Sequence, residues 1–181
     1  AIYIVRDPRN VISSVLYHYS KKNYQEAKEF LFDEHRALGK KYNPDGHNQN
    51  NDMFTLITSW KTHYNSWKNF KKNYLLIKYE NLVLEPKNEF HKISNYISKL
   101  MNLKIEDKKI NLAIKSNEFE NLKRMEKKDG FKEAIKNKET GETKSFFNLG
   151  PKNKWQEKLD IEIKESIEEK FEIEMKELGY L

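Results

Sequence analysis

Arg6, Asp7, Pro8, Arg9 and Asn10 follow directly on the apolar run Ile2-Tyr3-Ile4-Val5, and Ser14 stands eight positions after Arg6. An arginine leaving the end of a strand offers a rigid fork of donors that matches phosphate oxygens. A helix start beside it adds free backbone N–H groups and a partial positive charge. The pattern therefore reads as an anion site built from Arg6, the turn and Ser14. A competing reading uses the same residues: Arg6 pairs with a carboxylate such as Asp7, and the Ser14 hydroxyl bonds a carbonyl one turn back. Residue types alone leave both open.

Other chemistry is sparse. The chain has no cysteine, which removes disulfides, thiolate catalysis and cysteine zinc sites and fits a reducing compartment, the cytoplasm. No His, Asp or Glu cluster has metal-ligand spacing, so no metal is expected. None of the six glycines forms a phosphate-cradling loop with a lysine. His18 and His63 fall on helical patterns among aromatics, and His47 lies in a loop without a partner, so no catalytic residue is assigned. The net charge of +6 and pI near 9.2 favour anionic partners, although Lys, Asn and Ile abound throughout and a general compositional bias accounts for the charge equally well.

The elements that must position Arg6 and Ser14 are legible from periodicity. Ile2 to Val5 is a buried-strand pattern, Asp7 is suited to cap a helix and Pro8 to its first turn. Val11, Ile12, Val15, Leu16 and Tyr19 carry that helix to about Tyr19. Ser20 to Asp52 is a polar excursion with a short helix around Glu26 to Leu38 and turn signals at Asn43-Pro44-Asp45-Gly46 and Asn48 to Asn51. Met53, Ile57, Trp60, Tyr64 and Trp67 mark an amphipathic helix ending near Lys72. Tyr74 to Ile77 reads as a buried parallel strand ending at Lys78-Tyr79-Glu80. Pro86 opens a helix with the stripe Phe90, Ile93, Ile97 and Leu100, and shorter helical patterns cover Asp107 to Ile114 and Glu118 to Met125. Lys127 to Lys144 reads as a loop. A last helix from about Asp160 turns Ile163, Ile167, Phe171, Met175 and Leu178 inward.

Strand, crossover helix and strand in alternation imply an α/β layer with a parallel sheet, which binds ligands at the carboxyl ends of its strands, where Arg6 and Tyr79 stand. No run approaches the roughly 20 apolar residues of a membrane helix. Two confident strands are few for a sheet buried on both faces, and the chain opens on a strand without Met. We therefore expect one domain over residues 1–181 whose N-terminal part lies upstream.

Arg6-Asp7-Pro8-Arg9-Asn10-Val11 with Ser14 resembles the 3′-phosphate-binding motif of the cytosolic-type sulfotransferases, and the resemblance gives Arg6 and Ser14 that role. Ser59-Trp60-Lys61-Thr62-His63 and Lys78-Tyr79-Glu80-Asn81-Leu82 with Pro86 resemble further segments in the same order, the latter implying that Tyr79 contacts the nucleotide. Asn117-Glu118-Phe119 stands where the family has an adenine contact, and only Phe119 agrees. Phe146 to Trp155 is similar to the family's pattern Phe-x-Arg-Lys-Gly-x-x-Gly-x-Trp at Phe146, Gly150 and Trp155. Asn148 and Leu149 replace the Arg and Lys that grip the 3′-phosphate, and Asn153 replaces the second Gly. Lys144, Lys152 or Lys154 would have to supply the charge. A purely structural reading, in which Gly150-Pro151 turns the chain and Trp155 packs, stays open.

The resemblance implies a P-loop-like three-layer α/β fold with a small parallel sheet and a mostly helical C-terminal part. It implies 3′-phosphoadenosine 5′-phosphosulfate as donor, a hydroxyl or amine on a small-molecule or carbohydrate acceptor, and a donor pocket using Arg6, Ser14, Tyr79, Phe119, Asn148, Gly150 and Trp155. The 5′-phosphosulfate loop and the histidine base would lie upstream, with the Ser20 to Asp52 and Lys127 to Lys144 segments near the acceptor. Two alternatives compete. One is a single-stranded nucleic-acid module, suggested by the positive charge and the Tyr and Trp interleaved with Lys from Trp60 to Lys72. The other is a fragment of another P-loop nucleotide transferase.

Overall fold

The computed structural model of the chain describes residues 1–38, 55–69, 74–136, 141 and 143–181. Strand β1 (Ile2–Val5) runs into helix α1 (Pro8–His18), followed by α2 (Tyr24–Phe32). A short antiparallel pair, β2 (Ala37–Leu38) with β3 (Thr55–Leu56), precedes α3 (Trp60–Lys68). Strand β4 (Leu75–Lys78) passes at once into α4 (Tyr79–Leu84), and α5 (Pro86–Met101), α6 (Asp107–Ser116) and α7 (Phe119–Asp129) follow. The antiparallel pair β5 (Ile135–Lys136) and β6 (Thr143–Lys144) leads to single 3₁₀ turns at Gly150–Lys152 and Trp155–Glu157. The described chain ends in α8 (Ile161–Lys170) and α9 (Glu172–Glu177). This is a mixed α/β fold, mostly helical beyond its small parallel sheet.

The sheet sets the geometry of everything else. β1 and β4 pair in parallel, with Ile4 opposite Ile77 and Val5 opposite Lys78. Successive side chains of a strand point to opposite faces. Tyr3 and Val5 face the main core, whereas Ile2 and Ile4 are 38% and 52% exposed. The expectation of a buried first strand thus holds for one face only, and Ile4 lies on the side where a cavity opens.

The core gathers Val5, Ile12 and Val15 with Ala27 and Leu31 of α2, Trp60 and Tyr64 of α3, and Ile163, Ile167, Phe171, Met175 and Leu178. All five inward positions expected of the last helix are buried, but the helix breaks at fully buried Phe171 (φ −118°, ψ 20°) into α8 and α9. Asp7 caps α1 as expected, its carboxylate accepting from the Arg9 N–H with Pro8 in the first turn.

Four expectations need correction. The helix read from Met53 begins at Trp60. Thr55 and Leu56 are a strand, the Ile57 and Thr58 N–H groups donate to the Arg36 carbonyl, and Thr58 at φ 62° precedes the capping Ser59. Met53 and the helix end near Lys72 lie outside the described residues, as do the turns at Asn43 to Gly46 and Asn48 to Asn51. The second is the helix read around Glu26 to Leu38, which is α2 and ends at Phe32, with Ala37 and Leu38 in strand β2. The third is the pairing of β5 with β6 inside the segment read as a loop. The fourth is Leu100, which is exposed at the end of the α5 stripe.

Candidate functional site

Parallel register explains how the site begins. Val5 and Lys78 are partners, so the next residues, Arg6 and Tyr79, leave the sheet side by side at its carboxyl edge. The Arg6 guanidinium lies 4.2 Å from the centroid of the Tyr79 ring, a cation–π stack. Its Nη2 donates a long hydrogen bond, 3.4 Å, to the Gly150 carbonyl. Its Nε is buried and has no partner among the described residues. The backbone is fixed as well, because the Trp60 indole N–H donates to the Arg6 carbonyl at 3.1 Å. This gives the Ser59-Trp60 segment its role.

The alternative pairing of Arg6 with Asp7 does not occur. Asp7 is taken by Arg9, which donates from Nε and Nη2 at 2.7 to 3.2 Å and reaches Glu168 at 2.6 Å and the Tyr180 carbonyl at 2.8 Å. Burial works against the Arg9 charge, but hydrogen bonds and attraction from Asp7 and Glu168 outweigh it and hold the guanidinium above its ordinary value. Glu80 completes this knot. It accepts from the Asp7 N–H at 3.0 Å and from the Tyr180 hydroxyl at 2.9 Å, and burial, reinforced by Glu80, pushes that hydroxyl well above the ordinary tyrosine range. The turn after β1 is therefore held from α4, α8 and the C-terminal residues at once.

Arg6 faces a cavity of about 610 Å³, within the usual size of a cofactor site. Ser14 and Tyr17 of α1, Tyr79 of α4, Phe119 of α7, and Asn148 and Gly150 also line it. Arg6 is its only lining Lys or Arg among the described residues and Glu118 its only carboxylate, so Asn148 and Leu149 leave the wall without further fixed positive charge. His18 lines it too, with Nδ1 buried and without a partner among the described residues and its ring 4.9 Å from Phe146. Burial lowers its pKa, partly offset by Glu126.

The wall formed by Phe146 to Asn153 is clamped from two sides. Asn10 receives the Trp155 N–H on its side-chain oxygen at 2.9 Å, and its carbonyl accepts from the Asn153 amide at 2.8 Å. That bond gives the Asn153 side chain a function. Gly150 sits at φ +50°, and a Cβ built there would lie 2.3 to 2.6 Å from three ring atoms of Phe119, so glycine is required by both backbone and neighbour.

Six of the seven residues proposed from the sequence, Arg6, Ser14, Tyr79, Phe119, Asn148 and Gly150, line this one cavity. Trp155 does not; its ring covers the Arg9 guanidinium at 4.1 Å. Among the lysines considered for the missing charge, Lys154 pairs with Glu157 at 3.4 Å, Lys152 is exposed on the 3₁₀ turn, and Lys144 lies 5.7 Å over the ring of cavity-lining Tyr17. Sequence reasoning missed Arg9, Asn10, Glu80 and Glu126. The first three stand inside the motifs already singled out, and two arginines flanking a capping Asp were the available signal.

The sulfotransferase domain family model matches residues 1–179. Among solved structures, the chain is similar to mouse sulfotransferase SULT7A1 complexed with PAP, with 17% identity, a TM-score of 0.65, and coverage of 96% of this chain and 58% of that one. It is also similar to retinol dehydratase in complex with androsterone and inactive cofactor PAP, with 19% identity, a TM-score of 0.63, and coverage of 97% and 47%. The same enzyme with retinol and PAP gives the same figures. The chain thus spans about half the length of these neighbours. No curated protein matches it by sequence.

Proposed function

The chain belongs to the sulfotransferase family, and from that premise we propose that its cavity binds the adenosine bisphosphate end of 3′-phosphoadenosine 5′-phosphosulfate. In this proposal the Arg6 fork and the Ser14 hydroxyl hold the 3′-phosphate. Tyr79 stacks behind Arg6, Phe119 meets the adenine, and Asn148 and Gly150 form the facing wall. Trp155 acts from behind, through Arg9. Lys144, the lysine beside the cavity aromatic Tyr17, supplies the charge that Asn148 and Leu149 lack.

The observation that carries the proposal is Arg6 itself. A guanidinium held in a cavity, stacked on an aromatic ring, with a buried N–H lacking a partner and no carboxylate of the described residues paired to it, is a receptor for an anion. A buried N–H of a charged group left in that state is otherwise costly. The neighbours that hold PAP support the same ligand class.

The whole protein is proposed to pass the sulfuryl group to a hydroxyl or amine of a small-molecule or carbohydrate acceptor. The sulfur–oxygen bond to the 5′-phosphate breaks as one to the acceptor forms, the acceptor proton passes to a base, and adenosine 3′,5′-bisphosphate leaves. We assign no catalytic residue within 1–181, which we take as one domain, and place the base and the 5′-phosphosulfate loop in preceding sequence. Cytoplasmic location is also proposed, on the cysteine-free composition. Among the described residues, no helix is long and apolar enough to cross a membrane.

The nucleic-acid reading loses its stacking platform at Trp60 and Tyr64, which are 7% and 2% exposed and belong to the core. The test is calorimetric titration of the full-length protein with adenosine 3′,5′-bisphosphate and with 5′-AMP. Hydrogen bonds to charged groups are worth about 1.5 to 3 kcal/mol, so Arg6→Ala should weaken the bisphosphate roughly 10- to 150-fold. It should leave 5′-AMP almost unchanged. Equal bisphosphate affinity in wild type and Arg6→Ala overturns the proposal.

A further inference from the structure

α7 carries two residues that act on the same loop. Phe119 is its first residue and seats against Gly150. Glu126 follows seven positions later, about two turns on and therefore on the same face, with cavity-lining Leu122 between them. The Glu126 carboxylate accepts three hydrogen bonds from one stretch of chain: the Ser145 hydroxyl at 2.6 Å, the Phe146 N–H at 2.5 Å and the Phe147 N–H at 3.0 Å. Burial would raise its pKa, yet these bonds outweigh burial and keep it below the ordinary carboxylate range.

What the carboxylate grips is the start of the cavity wall. Phe146 and Phe147 are both lining residues, and Phe131 packs on them at 4.8 and 5.3 Å between ring centroids. Asn148, Leu149 and Gly150 follow immediately. Among the described residues, no backbone carbonyl receives the Phe146 or Phe147 N–H, so the loop relies on Glu126 for both donors. A carboxylate suits three converging donors because it offers about four lone-pair sites and no proton.

We propose that Glu126 is a positioning residue for the nucleotide site, clasping Ser145 to Phe147 so that Asn148 and Gly150 face Arg6. This rests on the donor-pocket reading above. Glu126 touches no ligand; it acts through the loop backbone. Glu126→Gln keeps the shape but leaves one acceptor oxygen and turns an NH₂ group toward a donor, so the clasp opens without leaving a hole.

The experiment compares wild type, Glu126→Gln and Ser145→Ala in the full-length protein, by residue-resolved amide hydrogen exchange and by titration with adenosine 3′,5′-bisphosphate. In Glu126→Gln the Phe146 and Phe147 amides should lose protection while β1 and α1 amides keep theirs, and bisphosphate affinity should fall about tenfold. Ser145→Ala, which keeps both backbone bonds, should stay within about threefold of wild type. Unchanged protection at Phe146 and Phe147 overturns the clasp. Lost protection with unchanged affinity, where Arg6→Ala still weakens binding, overturns the positioning role and spares the donor-pocket reading. Failure of wild type to bind the bisphosphate overturns both.

Discussion

Replacing Gly150 by alanine probes the tightest contact in the site. Alanine at φ +50° carries the left-handed penalty of about 1 to 2 kcal/mol. Its Cβ would lie 2.3 Å from the Phe119 ring, and carbon atoms rest near 3.5 Å, so the ring must withdraw by about 1.2 Å. Forced repacking of this kind costs about 1 to 3 kcal/mol. The ring lines the cavity, so its displacement costs ligand binding as well as stability. We expect Gly150→Ala to lose about 2 to 5 kcal/mol in urea unfolding and to bind adenosine 3′,5′-bisphosphate at least tenfold more weakly. Adding Phe119→Ala removes the clash and leaves only the backbone penalty, so the two substitutions should couple by about 1 kcal/mol or more. Additivity to within about 0.5 kcal/mol would show that the ring and the glycine do not constrain each other.

Two further predictions concern Arg9, behind the wall, and His18, which lines the cavity. Arg9→Met keeps bulk but leaves the buried Asp7 carboxylate without its guanidinium, while Glu168 keeps Lys164 at 3.1 Å; because breaking a buried pair costs about 3 to 5 kcal/mol, urea unfolding should show a loss of that order; a loss below about 1 kcal/mol refutes the knot. Burial lowers the pKa of His18 in the folded state below the unfolded 6.5. The unfolded chain then binds the proton more readily, so this contribution is complete above pH 6.5 and is lost as pH falls through that value toward the folded pKa. His18→Phe should flatten the fall of stability below pH 6.5, leaving the share due to His63, whose pKa burial and Arg36 also lower; an unchanged slope refutes the assignment.

What the sequence made legible is what local chemistry decides. The β-branched run, Asp7 and Pro8 announce β1 and the start of α1, and those cues depend on neighbours a few residues away. The inward stripe of α8 and α9 is likewise a local periodicity. Ile57 misled because its spacing to Trp60 suits a helix, whereas its N–H is claimed by Arg36, twenty-one residues earlier. The site divided in the same manner. Arg6 and Ser14 were readable from spacing, but whether Arg6 or Arg9 takes Asp7 depends on Glu168 and Tyr180 at the far end of the chain. Glu126 left no trace, since its partners are mainly backbone N–H groups that every residue but proline carries.

The pairing of β1 with β4 makes the cavity a gauge of strand alignment. A slip of β4 by one residue, setting Lys78 beside Arg6, would move the start of α4, and Tyr79 with it, about 3.3 Å past Arg6 and turn the β4 side chains to the opposite face. It would also exchange an aromatic cushion for mutual repulsion between cations. An anion seated on Arg6 therefore rewards the correct alignment alone, and a bound nucleotide would proofread the sheet as the chain folds.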